Sequence, residues 1–409
     1  MDALILGGGA SGLMAAASLG LRGARVTLLE KQDRVGKKLL STGNGRCNLS
    51  NLDMRPAHYA GAQAFVARVF ESAPPERVLS FFASLGLLTA VEDGRIYPRT
   101  MQAASVLDVL RAACACAGVR VETGREATAL LPSRRGGLTA RTADGASYAA
   151  RAVLVAMGGS AAPSMGTDGA GVKLLCAMGH RATPLYPALV QLRCAHPALR
   201  SLKGIRARAA LTLLIDGRET ARETGELLFA DYGVSGVCVF QLSRFAAPAC
   251  TSGRDVRLLI DLLPELSPDP AWLCARIDAL PDASAASLLT GALPRLLAQA
   301  VLREACIPAD MAASSLSPAQ RDALYAALRR FPLRVTGTQG FASAQVTRGG
   351  IALDEVDPRT MASRLFDGLY LAGELLDVDG PCGGYNLHFA FASALAASDA
   401  MLAAIGREP

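Results

Sequence analysis

The sequence predicts an α/β protein whose main domain is a split, Rossmann-like fold, assembled from both ends of the chain and interrupted by a β-barrel-like and a helical insert. Three observations predict this class. The first thirty residues follow the order strand, glycine turn, helix, strand. An apolar strand that ends in glycine and an acid occurs near residue 370, and the chain between these ends is first β-rich and then helical.

The amino-terminal pattern is the first of these observations. An apolar strand at residues 3–6 is followed by a G-x-G-x-x-G sequence at 7–12, an alanine-rich helix to Leu21 and a second strand at 25–29. This is the start of a doubly wound α/β fold.

Each glycine of the turn has a physical reason. Gly7 permits a tight turn, Gly9 lets the backbone approach a pyrophosphate, and Gly12 allows the helix to pack closely on the strand. The free N–H groups at the helix start, at Ala10 and Ser11, can receive negative charge. The motif therefore predicts a site for the diphosphate of a dinucleotide.

The second strand ends at Glu30 and Lys31, about twenty residues after the glycine turn. A carboxylate at this position accepts hydrogen bonds from the ribose hydroxyls of an adenosine. Alone, the turn would also fit an ordinary α/β protein. With strand, helix and acid together, it predicts dinucleotide binding.

The carboxyl-terminal segment distinguishes between two dinucleotides. An apolar strand ends in Gly373 and Glu374, and a loop leads to Gly384, Tyr385 and Asn386 at the start of an alanine-rich helix. Glu374 can bind ribityl hydroxyls, and the positive end of the helix can face the pyrimidine edge of a flavin. Either feature alone fits a loop turn or a solvated carboxylate. Together with the amino-terminal motif, they predict FAD rather than NAD.

The predicted organisation has five segments. They are the first part of the cofactor domain (1–186), a β-barrel-like insert (187–265), a helical insert (266–330), a return strand of the barrel (331–348) and the second part of the cofactor domain (349–409). Further strands are predicted at 119–122, 127–131, 137–142, 152–156, 209–215, 256–263, 333–336 and 369–372. A turn signal at 143–145 lies between two of them. Ser267–Pro268 begins the helical pattern, and Ser317 to Gln320 predicts a capping box.

Composition indicates a reduced, non-membrane protein. Hydrophobic residues make up 51%, but charged residues interrupt the long apolar stretches, so we expect no membrane span, anchor or signal peptide. The ten cysteines are scattered singly, which is typical of cytosolic thiols and predicts a cytoplasmic location. His58, His180 and His196 lack ligand spacing, and no metal site is predicted.

Four further stretches resemble one known family. They are residues 36–51 (GKKLLSTGNGRCNLSN), 225–229 (GELLF), 232–236 (YGVSG) and 344–350 (AQVTRGG). With the two terminal motifs, the chain resembles over nearly its whole length the HI0933-like flavoproteins, also described as the aminoacetone oxidase or BaiN-type FAD-dependent oxidoreductases. The resemblance implies a glutathione-reductase-like, split FAD-binding domain interrupted by a β-barrel and a helical insert.

The resemblance also implies further cofactor contacts. It places the glycine-rich loop and the helix before it at FAD, and it suggests a second glycine turn after the strand at 152–156, which a simple strand exit would also explain. The residues implied are Lys38, Leu39, Gly43, Asn44, Asn48, Met157, Gly158 and Gly159.

Three residues are candidates for catalysis. Arg46 can be directed at an anionic or carbonyl group. Cys47 is either a proton donor or a small buried side chain. His388, at a position where the family commonly has glutamine, is either aimed at the flavin or packed in the core. Cys382 stands where threonine is expected, so a hydroxyl-dependent role is in doubt there.

The leading functional hypothesis is a flavin-dependent reductase that passes hydride to a C=C bond conjugated to a carbonyl. The resemblance suggests an enone substrate of the bile-acid or steroid type. NAD(P)H is the expected electron donor. Because no second G-x-G-x-x-G sequence occurs, it would approach the flavin through the substrate cleft.

Three alternatives stay open. One is an amine oxidase of the aminoacetone type. Another is a ribosomal RNA dihydrouridine synthase, which the net charge of +6 would suit. A basic stretch, Arg200, Lys203, Arg206 and Arg208, could form its RNA face, although no aromatic residues interleave and a solvated barrel edge is favoured. A flavin-binding sensor is a minor alternative. We expect a small-molecule partner, and the sequence leaves the oligomeric state open.

Overall fold

The structure, a computed structural model, describes residues 1–133, 137–266 and 269–406. Ser267 and Pro268, with which the predicted helical pattern begins, lie outside the described residues. The strands are β1 (Ala3–Leu6), β2 (Val26–Glu30), β3 (Ser50–Asn51), β4 (Thr89–Glu92), β5 (Arg95–Pro98), β6 (Arg120–Thr123), β7 (Ala127–Pro132), β8 (Leu138–Thr142), β9 (Ser147–Ala150), β10 (Ala152–Val155), β11 (Tyr186–Ala188), β12 (Leu192–Ala195), β13 (Arg206–Ile215), β14 (Arg218–Ala230), β15 (Gly233–Ser235), β16 (Val256–Asp261), β17 (Phe331–Thr338), β18 (Val346–Arg348) and β19 (Leu369–Leu371). The helices are α1 (Ala10–Leu21), α2 (Lys37–Ser41), α3 (Gln63–Ser72), α4 (Pro75–Ser84), α5 (Ala103–Cys116), α6 (Ala170–Met178), α7 (Leu199–Leu202), α8 (Val237–Thr251), α9 (Ala271–Ala279), α10 (Ala285–Leu288), α11 (Arg295–Glu304), α12 (Pro318–Arg329) and α13 (Tyr385–Ala404).

The first compact unit comprises residues 1–186 and 345–409. Its centre is a parallel sheet in the order β19-β10-β1-β2-β6. Strands β1 and β10 are buried along their whole length, which explains why they are continuous apolar runs without alternation. Because β19 pairs with β10, the end of the chain completes the sheet that its beginning starts. The predicted fold class is confirmed.

Helix α13 packs against α1 and is the longest helix of this unit. By length and composition it could cross a membrane, but most of its residues are buried inside the unit, as in the core helix of a soluble protein. Near its end the Asp399 carboxylate accepts hydrogen bonds from Arg22, the residue that follows α1, at 2.7 Å and from Arg77 of α4 at 2.5 and 2.8 Å. These bonds tie α13 to two other helices.

A small antiparallel sheet in the order β7-β8-β9 follows β6 along the chain. It corrects one prediction, because the turn at 143–145 joins β8 to β9 and does not join β8 to β10. Strand β9 is short and mostly exposed or half-buried. Its sequence, SYAA, carries too little apolar pattern to identify a strand.

The second compact unit, residues 187–344, contains a closed barrel in the order β12-β15-β14-β13-β16-β17. The β13–β14 hairpin turns at Asp216–Gly217. Helix α8 is not predicted by the β-rich pattern, because Val237, Val239 and Pro248 lower its helix propensity. It forms because it buries one face against the barrel strands. Helices α9 to α12 belong to the same unit, and α12 begins with the predicted capping box.

Candidate functional site

The main cavity of the first unit lies at the carboxyl ends of β1, β2 and β10 and at the amino-terminal ends of α1 and α13. This is where parallel α/β sheets bind ligands. It encloses about 1220 Å³, including its opening to solvent. Many of the sequence-predicted cofactor residues line it, namely Gly7, Gly9, Ala10, Ser11, Glu30, Lys31, Lys38, Leu39, Met157, Gly158, Glu374 and Asn386.

The glycine turn has the geometry that a close backbone approach needs. Gly7 has φ +104, and a Cβ there would lie 2.5 Å from the carbonyl oxygen of Ala156. A Cβ on Gly12 would lie 1.8 Å from the Gly7 carbonyl oxygen. By contrast, a Cβ on Gly9 would meet no protein atom within 4 Å, although Gly9 lines the cavity. The turn thus leaves open space beside Gly9, as the close approach of a diphosphate would require.

The Glu30 carboxylate stands at the end of β2. One oxygen accepts a hydrogen bond from the Gly8 N–H at 2.7 Å and the other from the Gln32 N–H at 2.8 Å. These bonds fix its orientation, and each carboxylate oxygen keeps a second lone pair. The residue fits the predicted role as an acceptor for ribose hydroxyls.

A second group of bonded residues lies near Glu374. It consists of Lys38, Glu374 and Thr347, which belong to three separate elements of the chain. The Lys38 ammonium lies 2.7 Å from one Glu374 oxygen, and the Thr347 N–H donates to the other at 2.8 Å. The Thr347 hydroxyl accepts from the N–H groups of Ser160 and Ala161 at 2.7 and 2.9 Å. The sequence did not single out Thr347 as a site residue, although it lies in the AQVTRGG stretch.

Charged side chains of both signs line the cavity. Five are cationic, which are Lys31, Arg34, Lys37, Lys38 and Arg125, and three are acidic, which are Glu30, Asp168 and Glu374. Lys37 and Arg125 are also paired with acids outside the lining, Asp33 and Asp144. Ion pairs therefore neutralise most of the positive charge, and the charge of the lining does not by itself identify the ligand.

The remaining predicted cofactor residues are not among the described residues that line the cavity; they are Gly12, Gly43, Asn44, Asn48, Gly159, Gly373, Gly384 and Tyr385. Three of them contact other parts of the first unit. A Cβ on Gly159 would lie 2.4 Å from the Thr347 hydroxyl. Gly373 donates its N–H to the Ser393 hydroxyl, and the Tyr385 carbonyl accepts from the Tyr59 hydroxyl.

The loop that holds Gly43 and Asn44 is unusual in its backbone, since both residues have left-handed φ angles of 56° and 55°. Further along, Asn48 lies next to the start of α13, where a Cβ on Gly384 would be 2.8 Å from the Asn48 side-chain amide. The Asn51 amide donates to the Gly383 carbonyl at 2.9 Å. The loop therefore supports the amino-terminal end of α13.

The geometry does not favour the three predicted catalytic residues, because none is among the described residues that line the cavity. The Arg46 guanidinium forms an ion pair with Glu92 and lies 4.4 Å from the centre of the Tyr97 ring. His388 is fully buried, and its Nδ1 lies 2.9 Å from the Ser50 hydroxyl. Burial lowers the pKa of His388 to about 3, so it is neutral at physiological pH.

Cys47 is fully buried, and burial raises the pKa of its thiol to about 12. Because the thiolate is the reactive form, we expect Cys47 to resist alkylation in the folded protein. Iodoacetamide at pH 8 should label the exposed Cys116, Cys274 and Cys306 and leave Cys47 unlabelled until the protein unfolds, as peptide mass spectrometry would detect. Labelling of Cys47 at the rate of Cys116 would contradict this.

The basic stretch of the barrel is paired with acids. Lys203 lies 2.7 Å from Asp231, and Arg206 lies 2.6 Å from Glu226. Arg208 lies 2.9 Å from Glu265. Three of its four cations are thus neutralised locally, which is typical of a solvated barrel edge.

No group of three or more potential metal-ligating His, Cys, Asp or Glu side chains occurs among the residues that the structure describes.

Comparisons with known proteins agree with this architecture. The chain is 41% identical to a 3-dehydro-bile acid delta(4,6)-reductase of Clostridium scindens, over 95% of this chain and 96% of that protein. It is 28% identical to a ribosomal RNA dihydrouridine synthase of Escherichia coli, over 98% of both chains. Its fold is similar to that of the 3-ketosteroid delta1-dehydrogenase of Sterolibacterium denitrificans, with a TM-score of 0.53 and 15% identity over 98% of this chain and 99% of that one. The HI0933-like protein Rossmann domain model matches residues 1–400, and the chain therefore belongs to the HI0933-like family.

Proposed function

We propose that this protein is an FAD-dependent oxidoreductase that reduces a C=C bond conjugated to a carbonyl in a small, steroid-like substrate. The cavity carries the proposal, because it combines an open glycine turn with an oriented Glu30. The 41% sequence identity to a bile-acid reductase, over 95% of this chain, supports the substrate class. When bound, FAD supplies a ring that accepts and donates hydride.

The residues of the chain bind and orient the cofactor. The N–H groups of Ala10 and Ser11 at the start of α1 would hold the diphosphate. Glu30 would accept from ribose hydroxyls. Lys38 and Glu374 would bind the ribityl chain, with their geometry held by Thr347.

Asn386 lines the cavity, and its side-chain amide also forms hydrogen bonds within the chain. The side-chain oxygen accepts from the Gly380 N–H at 2.8 Å, and the side-chain nitrogen donates to the Gly380 carbonyl at 2.8 Å. The amide thus holds the loop before α13 in place. The positive end of this helix would then be available to stabilise negative charge on the flavin.

A ribosomal RNA substrate is less favoured. The relative with that activity is 28% identical, and the ion pairs of Lys203, Arg206 and Arg208 reduce the positive charge that an RNA backbone would meet. No described contact specifically favours an amine oxidase. We place the enzyme in the cytoplasm, because all ten cysteines are free.

An anaerobic experiment tests the proposal. The purified protein should be yellow, NADH or NADPH should bleach the flavin, and a 4-en-3-one steroid should restore the colour without oxygen. Ribosomal RNA serves as a parallel addition, and aminoacetone is added to the oxidised protein in a separate assay in air. A bleached flavin that RNA reoxidises and the steroid does not would overturn the substrate class, and hydrogen peroxide release with aminoacetone in air would favour the oxidase. Protein that takes up no FAD would overturn the proposal itself.

A further inference from the structure

Residues 159–169, here called the strap, connect the turn after β10 to α6. The base of the strap is closed by a hydrogen bond of 2.9 Å from the Gly169 N–H to the Gly159 carbonyl. The Thr167 hydroxyl donates to the carbonyls of Ala161 and Ala162 inside it. The strap is therefore a compact loop whose two ends lie close together.

The beginning of the strap is anchored, since the N–H groups of Ser160 and Ala161 donate to the Thr347 hydroxyl. Its other part, which includes Met165, Gly166, Thr167 and Asp168, lines the cavity. This part lies against the wall that follows β2, because a Cβ on Gly166 would be 3.0 Å from the Gln32 side chain.

One ion pair joins the two walls. The Lys31 ammonium lies 2.7 Å from an Asp168 oxygen, and both residues line the cavity. Lys31 directly follows Glu30, so the pair lies at the part of the cavity that would hold the adenosine. The Lys31 side chain is 16% exposed and that of Asp168 is 47% exposed. A pair with this exposure is weak enough to open and is screened by salt.

We propose that the Lys31–Asp168 ion pair is a latch that holds the strap closed over the adenosine end of the cavity, and that its opening controls how fast FAD enters and leaves. This inference rests on the proposed function. The latch affects the exchange of the cofactor and not the chemical step. Lys31 and Asp168 therefore hold the strap in position and are not catalytic residues.

The test compares two variants. Asp168→Asn removes the charge but keeps an oxygen that can accept the Ala170 N–H, as Asp168 does at 3.2 Å. Asp33→Asn is the matched control, because Asp33 lies 2.6 Å from Lys37, another cavity lysine, and this pair includes no residue of the strap. Free-FAD fluorescence after dilution gives the dissociation rate, and its quenching on mixing gives the association rate.

Asp168→Asn should raise both rates about two- to fivefold and change Kd little, because a latch slows entry and exit alike. Asp33→Asn should leave both rates unchanged. At about 1 M salt the difference between wild type and Asp168→Asn should shrink. Release from Asp168→Asn at or below the wild-type rate would overturn the latch, since loss of the ion pair would then not speed the exit of FAD. Equal effects of the two variants would overturn it as well.

Hydrogen exchange without FAD separates this inference from the proposed function. Amides of the strap should exchange faster in Asp168→Asn than in wild type, while those of Asp33→Asn should not change. Unchanged exchange in Asp168→Asn would overturn the latch even if the protein binds FAD. If the protein binds no FAD but the strap amides exchange faster in Asp168→Asn, the proposed function fails. The ion pair then holds the strap in place, but it does not control the exchange of FAD.

Discussion

Replacing Gly9 with alanine is expected to leave the fold intact and to weaken FAD binding at least about tenfold, a loss of ~1.4 kcal/mol. Gly9 has φ −85 and ψ −162, angles that alanine adopts without strain. A Cβ there meets no protein atom within 4 Å, so the free energy of unfolding without FAD should stay unchanged or rise by up to about 1 kcal/mol. The methyl group would instead fill the space that the diphosphate needs.

Gly12→Ala is the contrasting variant. Its Cβ would lie 1.8 Å from the Gly7 carbonyl oxygen, and relieving this clash should cost about 3 kcal/mol of stability or more. Urea denaturation of the FAD-free proteins and fluorescence titration with FAD measure the two effects separately. If Gly9→Ala bound FAD as tightly as wild type, the glycine turn would not be the diphosphate site.

Loss of the Asp399 carboxylate should destabilise the protein by about 3 kcal/mol at pH 7. Asp399→Asn would leave Arg22 and Arg77, both only partly exposed, without the charge that joins α13 to α1 and α4. Urea denaturation of the FAD-free proteins measures the loss. Glu71→Gln is the matched control, because Glu71 also pairs with two arginines, Arg68 and Arg359, but its side chain is 48% exposed. Its unfolding midpoint should change little.

The effect of Asp399 should depend on pH. Burial acts to raise the pKa of this carboxyl, but the hydrogen bonds from Arg77 and Arg22 outweigh burial, and the pKa is lowered overall. A lowered pKa means that the stabilisation is fully present above the ordinary value of about 4 and is lost as the pH falls through the lower value of the folded state. The gap between wild type and Asp399→Asn should therefore close in acid. A gap that stays constant down to pH 2 would contradict the ion-pair explanation.

The parts of the fold that the sequence predicts well are those with strong local signals. The continuous apolar runs of β1 and β10 indicate buried parallel strands, and the structure buries both. Strand β9 and helix α8 were missed because packing stabilises them against their own weak propensities. β9 gains a partner in β8, and α8 gains the barrel surface.

In the candidate site as well, some residues could be recognised from the sequence and others could not. Residues of the glycine turn and Glu30 are recognisable because their spacing along the chain is itself the geometric requirement. Thr347 and Asp168 could not be found by spacing, since each acts on a group more than a hundred residues away. For Arg46, Cys47 and His388 the residue type suggested chemistry, but their neighbours engage or bury them.

The sequence of neighbouring residues along this chain is enough to predict an α/β protein with a turn for a diphosphate. Turn geometry and the apolar pattern of a buried strand both depend on residues that are close together in the sequence. Long-range packing specifies which side chains meet at the cavity, which of them bond to one another, and which are removed from solvent. The physical reason is that a pairing such as Lys38 with Glu374 depends on where separate elements come together. No local pattern contains that information.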